Sequence, residues 1–170
     1  RARQKLYQLR QTRVKPARDE KILTAWNGLM IKGMATAGRV LAREDFITSA
    51  QQAVDFIQQN MWQAGRLLAN YKDGQARIAA YLDDYVYLAD ALLELLQASW
   101  RSQDLHFAVA LCDALLQHFQ DEKAGGFYFT ADDHESLIHR PKPTMDDAMP
   151  AGNAIAVQVL LRLGHLLAKN

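Results

Sequence analysis

The sequence predicts an all-α chain in which α-hairpins repeat around a half-ring, with short β-hairpin insertions. Helical apolar periodicity runs through most of the 170 residues, and the helices alternate between two kinds. One kind is apolar on several sides, the other on a single stripe, as inner and outer layers require. The alternation recurs with a period of roughly sixty residues, and repeated α-hairpins close into solenoids or rings. The length suits one domain, residues 1–170, or a large piece of one.

Residues 1–18 read as a basic helix and linker. Arg1, Arg3, Lys5, Arg10, Arg13, Lys15 and Arg18 make seven basic residues with no acidic one. The remainder carries 13 basic against 19 acidic residues, so the formal net charge is +1. That balance gives no global field for nucleic acid, and the basic start reads as a solvated helix.

The first inner helix spans 24–42, "TAWNGLMIKGMATAGRVLA". It is apolar nearly all round, and Gly28, Gly33 and Gly38 permit close contacts. Thr24 is the expected N-cap. An outer helix at 46–62 shows one stripe, Phe46, Ala50, Ala53, Val54, Ile57 and Met61, with Gln and Asp residues opposite. The connection "GRLLANYKDGQARIAAYL" predicts a β-hairpin around Asp73-Gly74, a type I′ turn signal. The second inner helix covers 84–101. Its outer partner, 104–119, has a stripe of Leu105, Ala108, Val109, Cys112, Leu115, Leu116 and Phe119. The segment "GGFYFTADDHESLIHRP" predicts a second hairpin, with 126–130 pairing with 137–140. A third inner helix fills 151–168, and no outer partner follows it. The inner helices are expected to be the more buried set.

The inner helices of such a ring direct their N-termini, with free N–H groups and positive dipole ends, to one mouth. Long elaborated loops beside helix starts are usual places for a site. The residues at the three starts are Asp19, Lys21, Trp26 and Asn27; Asp83, Asp84, Tyr85 and Tyr87; and Asp146, Asp147 and Asn153, with Arg140 on the second insertion. Aromatic faces cover the C–H side of a sugar ring, while carboxylates and amides pair with its hydroxyls. Each residue taken singly also fits a cap or core role. Glycoside hydrolysis needs two carboxyls across the scissile bond, about 5–9.5 Å apart. Asp83 or Asp84 against Asp146 or Asp147 would supply them, and Asp84 and Asp147 are the expected catalytic pair. Asp19, Lys21, Trp26, Asn27, Asp83, Tyr85, Tyr87, Arg140, Asp146 and Asn153 are the expected ligand-binding set.

Several classes are excluded or disfavoured. Cys112 is the single cysteine, so neither an intrachain disulfide nor a CxxC pair can form, and a reducing cytoplasm is the simplest compartment. No apolar run reaches the roughly 20 residues of a membrane span. The histidines share no ligand spacing and none sits on an inner start, which disfavours epimerase chemistry. There is no phosphate-binding glycine loop and no serine nucleophile elbow. No metal or cofactor is expected.

"KPARDEKILTAWNGLMI", "LDDYVYLADALLELL", "GGFYFT" and "DDAMPAGNAIAVQVLLRL" resemble the toroid half of the YyaL-like (spermatogenesis-associated protein 20) family, in the same order and with similar spacing. The resemblance implies an (α/α)6 toroid similar to N-acylglucosamine 2-epimerases and six-hairpin glycosidases. It also implies a thioredoxin-like domain elsewhere in full-length members. The chain departs mildly from the pattern at Asp19-Glu20-Lys21, and at Ala151 and Ala154, where serines are common. The expected function is carbohydrate binding or carbohydrate chemistry at the mouth. The alternative is a non-catalytic module that self-associates or packs on a partner. Half a ring leaves two apolar seams, so a second copy or the missing half of the toroid is the expected protein partner, with a sugar-like small molecule as ligand.

Overall fold

The computed structural model describes residues 1–135 and 138–168. Its helices are α1 (Ala2–Gln11), α2 (Thr24–Leu41), α3 (Glu44–Asn60), α4 (Leu82–Ala98), α5 (Ser102–Phe119) and α6 (Gly152–Leu166). Its strands are β1 (Ile22–Leu23), β2 (Trp62–Gln63), β3 (Arg66–Lys72) and β4 (Gln75–Ala79). α2, α4 and α6 lie side by side in one layer; α3 packs behind α2, and α5 behind α4. The basic helix α1 buries no residue. No described helix is long and apolar enough to cross a membrane.

Glycine decides how closely the helices approach. A Cβ at Gly28 would stand 2.8 Å from the Tyr87 carbonyl carbon and 2.9 Å from the Leu88 nitrogen, so α2 crosses α4 backbone to backbone. At Gly38 it would stand 2.6 Å from Ile47 Cγ1 on α3. Gly33 lies on the other side of α2 and has nothing within 4 Å.

The first insertion is a small antiparallel sheet in which β3 pairs with β1, β2 and β4. Lys72 faces Gln75 across Asp73-Gly74, and both turn residues have positive φ (51° and 77°). That is the predicted two-residue turn, since type I′ needs left-handed backbone at both positions. Ala64-Gly65 repeats the device between β2 and β3, with φ of 49° and 78°. The second insertion differs from its prediction. Residues 126–130 form no strand; they are held by a Gln120–Phe127 bridge and by Phe129 N–H donating to the Pro141 carbonyl (2.8 Å). Residue 137 of the expected partner strand lies outside the described residues.

Burial does not follow the expected inner–outer split. α4 buries 13 of its 17 residues, but α2 and α6 bury five and four, fewer than the eight of outer α5. Position in the layer explains this. α4 is covered on both flanks, whereas α2 and α6 each have one uncovered side. Trp26, Met30 and Val40 are exposed on α2, and Val157, Leu161 and Leu166 on α6. On the outer helices most of each expected stripe is buried (Ala50, Val54, Ile57 and Met61; Ala108, Cys112, Leu115 and Phe119), but Ile47 is buried rather than Phe46, and Leu111 lies inside while Leu116 is 40% exposed.

Ion pairs lace the three inner helices together. Buried Asp90 on α4 accepts from Lys32 Nζ of α2 (2.6 Å) and Arg162 Nη1 of α6 (2.9 Å). Arg162 Nη2 also reaches Glu94 Oε1 at 2.9 Å. The second Asp90 oxygen is thereby paired, as a buried carboxylate requires.

Candidate functional site

The three inner helix starts meet at one end, and side chains make the joints. The Ala25 N–H at the first turn of α2 donates to Asp84 Oδ1 at 2.8 Å, and Tyr81 N–H donates to Asp84 Oδ2 at 2.9 Å. One carboxylate from α4 therefore caps its own helix and its neighbour. This corrects two expectations. Thr24 is not the cap of α2: its hydroxyl donates to the Leu68 carbonyl (2.7 Å) and ties the helix to β3. Asp84 is not placed for catalysis, because it is 4% exposed and both oxygens hold backbone donors. Burial pushes its pKa up to about 7 against the opposing pull of those two bonds.

Tyr85 also belongs to the interior. Its hydroxyl accepts the Leu67 N–H (2.9 Å), and its ring packs on Phe119 with centroids 5.1 Å apart. Tyr87 joins α4 to α6 by donating to the Pro150 carbonyl. Burial and the carboxylates of Asp83, Asp146 and Asp84 push its hydroxyl up to about 12. The proton therefore stays on the oxygen at any physiological pH.

Asp83, one residue from the cap, behaves differently. It lines an open recess of about 270 Å³ with Asp147, Phe129, Pro143, Met145, Met149 and the 148–152 backbone. Its Oδ1 is buried without a hydrogen-bond partner among the described residues. Burial raises the carboxyl above the ordinary aspartate range. A Cβ at Gly152 would fall 2.2 Å from Oδ1, so the glycine at the start of α6 leaves the space the carboxyl occupies. Across the recess Asp147 is exposed. Asp146 accepts the N–H of Ala151, the residue before α6, at 2.8 Å.

The wall of the recess is a loop clamped at several points. Asn153 accepts the Phe127 N–H (2.7 Å) and donates to the carbonyls of Phe127 (2.9 Å) and Pro143 (3.0 Å). Asp121 accepts from Lys142 Nζ (2.6 Å), the Tyr128 hydroxyl (3.0 Å) and the N–H groups of Lys123 and Ala124. These donors hold its carboxyl well below the usual carboxylate range, Lys142 foremost. Arg140 donates to the Thr130 carbonyl (2.6 Å) and lies over the Tyr128 ring at 4.2 Å. Asn153 and Arg140 thus shape the recess by holding its loop.

The start of α2 contributes less. Trp26 is 63% exposed. Asn27 donates to the Leu23 carbonyl of its own turn (2.8 Å). Asp19 and Lys21 pair with each other at 3.1 Å on the exposed approach to β1. Among the expected residues, Asp83 and Asp147 are those the structure brings to one recess. Phe129, Met145 and Met149 were not foreseen; the signal for the two methionines was their place flanking the acids in "TMDDAMPAG", and Phe129 lies in "GGFYFT". One group of metal-ligand type exists among the described residues, His118, Asp132 and Asp133. His118 Nδ1 pairs with Asp132 Oδ1 at 2.9 Å, and Asp133 accepts from Arg66 Nη1 and Nη2 at 2.6 and 2.8 Å.

No family model matches the chain. Human spermatogenesis-associated protein 20 is 34% identical over 94% of the chain, and its rat counterpart is 34% identical over 96%. The chain spans about a fifth of these relatives' length, 22% in each. Among solved structures, cellobiose 2-epimerase from Bacillus thermoamylovorans matches with a TM-score of 0.71 at 12% identity, covering 88% of this chain and 42% of that one. A family 105 glycoside hydrolase from C. acetobutylicum matches with a TM-score of 0.68 at 15% identity, covering 98% and 52%. At such identities the likeness establishes fold alone, a share of a ring of paired helices. Over nearly its whole length the chain is similar to part of spermatogenesis-associated protein 20, and its fold is a partial α/α toroid.

Proposed function

We propose that the recess at the starts of α4 and α6 binds a carbohydrate, with Asp83 as the residue that contacts it. The observation that supports this most is the Asp83 carboxyl. Its residue borders the recess, burial raises its pKa, and its buried Oδ1 lacks a donor among the described residues. A carboxyl in that state suits hydrogen bonding to a hydroxyl or proton donation to a glycosidic oxygen. Asp147 supplies the second, solvent-facing carboxyl, and Phe129, Met145 and Met149 supply apolar surface for C–H faces. The fold neighbours include a cellobiose epimerase and a glycoside hydrolase, which favours the same ligand class. Relative to the expected pair, Asp83 takes the place of Asp84.

The test is a nitrogen-15 NMR titration of the protein with glucose, mannose, N-acetylglucosamine and cellobiose. At least one sugar is expected to shift amides in 126–129 and 145–153, and Asp83→Asn to weaken that response. If no sugar moves those amides, the reading fails.

A second reading is favoured by the exposed seams. Trp26, Met30 and Val40 form one exposed face of α2, and Val157 and Leu161 one exposed face of α6. Large apolar faces on the two outermost inner helices suit further hairpins of a toroid, or a second copy, packing there. Light scattering separates the two: a dimer at micromolar concentration supports the second copy, and a monomer supports cover by further toroid hairpins.

A further inference from the structure

Resting on the carbohydrate reading of this recess, the inference concerns the charge of its ligand. The ten residues that line the recess include two carboxylates, Asp83 and Asp147, and no basic side chain. Two basic residues of the wall loop make their contacts within it. Lys142 Nζ is held by Asp121 Oδ2 (2.6 Å) and the Gly125 carbonyl (3.1 Å), and Arg140 by the Thr130 carbonyl and the Tyr128 ring. Two helix starts adjoin the recess and would ordinarily attract an anion. Carboxylates of the chain already stand beside both, Asp84 accepting the Tyr81 N–H before α4 and Asp146 the Ala151 N–H before α6. Burial within this wall leaves Asp83 Oδ1 without a donor among the described residues. The remaining lining is apolar and cannot neutralise either carboxylate.

We propose that the recess selects a cationic sugar, an unacylated amino sugar whose ammonium group lies between Asp83 and Asp147, and rejects anionic sugars. A charged donor to a carboxylate makes a bond roughly twice as strong as a neutral hydroxyl does. A phosphate or uronate would face two carboxylates with no counter-charge.

The experiment is an NMR titration with glucose, glucosamine and glucuronic acid, at a slightly acidic pH that keeps the amine protonated. Glucosamine is expected to bind roughly tenfold more tightly than glucose. Glucuronate is expected not to bind. Asp147→Asn should reduce the preference for glucosamine over glucose, and added salt should shrink it. Binding of glucose with no preference for glucosamine would overturn the charge selection and leave the carbohydrate reading intact. Equal binding of glucuronate would overturn it as well. No response to any of the three, with the neutral sugars above also silent, would overturn both.

Discussion

Asp83 Oδ1 stands 2.2 Å from the point where a side chain at Gly152 would begin. α6 can start beside α4 with that carboxyl between them because residue 152 has no Cβ. Two effects compete in Gly152→Ala. Helix propensity favours alanine by about 1 kcal/mol. Overpacking against Asp83 and Leu82, whose Cγ and Cδ2 would lie at 3.1 Å, costs about 1–3 kcal/mol. The net expectation is a loss of about 1 kcal/mol and a displaced Asp83 carboxyl. Urea unfolding and the carbohydrate titration check the two parts separately.

Glycines on α2 should respond with opposite signs. Gly28→Ala places a methyl against α4 backbone atoms at 2.8 and 2.9 Å, which cannot swing aside. It is expected to destabilise by about 3 kcal/mol. Gly33→Ala meets nothing within 4 Å and should stabilise by about 0.5–1 kcal/mol. Paired denaturant melts of the two variants read the difference directly.

Asp84→Ala removes the acceptor shared by the Ala25 and Tyr81 N–H groups. Leaving buried donors unmatched costs about 1–3 kcal/mol each. The expected outcome is a loss of about 2–4 kcal/mol with sugar affinity retained below the new melting point. A stable variant that has lost ligand binding would return Asp84 to the mouth.

Acid and a rise toward neutral pH should weaken the fold through different carboxyls. The Asp121 carboxyl is depressed by Lys142 and its other donors, so its stabilisation is complete above the unfolded value of about 4 and is lost as pH falls through the folded value. Asp84 is raised by burial to about 7, so its contribution is complete below about 4 and is lost as pH rises through 7. Stability against urea is expected to peak between these limits. Lys142→Met should flatten the acid limb, and Asp84→Asn the upper one.

Much of the fold was legible because periodicity reports packing. The boundaries of α2, α4 and α6 came from all-round apolarity, and the β3–β4 turn from Asp73-Gly74. Relative burial was not legible, since whether Met30 or Leu161 finds cover depends on which neighbour packs there. The site was half legible. Asp83 and Asp84 are adjacent acids on one first turn, and nothing local says which will cap; the cap partner of Asp84, Ala25, is 59 residues away. Tyr85 and Tyr87 likewise differ by what lies above them. The second insertion misled because "GGFYFT" alternates like a strand, yet its backbone bonds go to Asn153, Pro141 and Phe119.

A carbohydrate in the recess between Asp83 and Asp147 is the proposal on which the others depend. A crystal structure of the protein soaked with the tightest-binding sugar tests it most directly. Sugar density is expected against Phe129 and Met149, with a ring substituent within hydrogen-bond distance of the Asp83 carboxyl. Sugar density elsewhere on the toroid, with this recess holding only water, would contradict it.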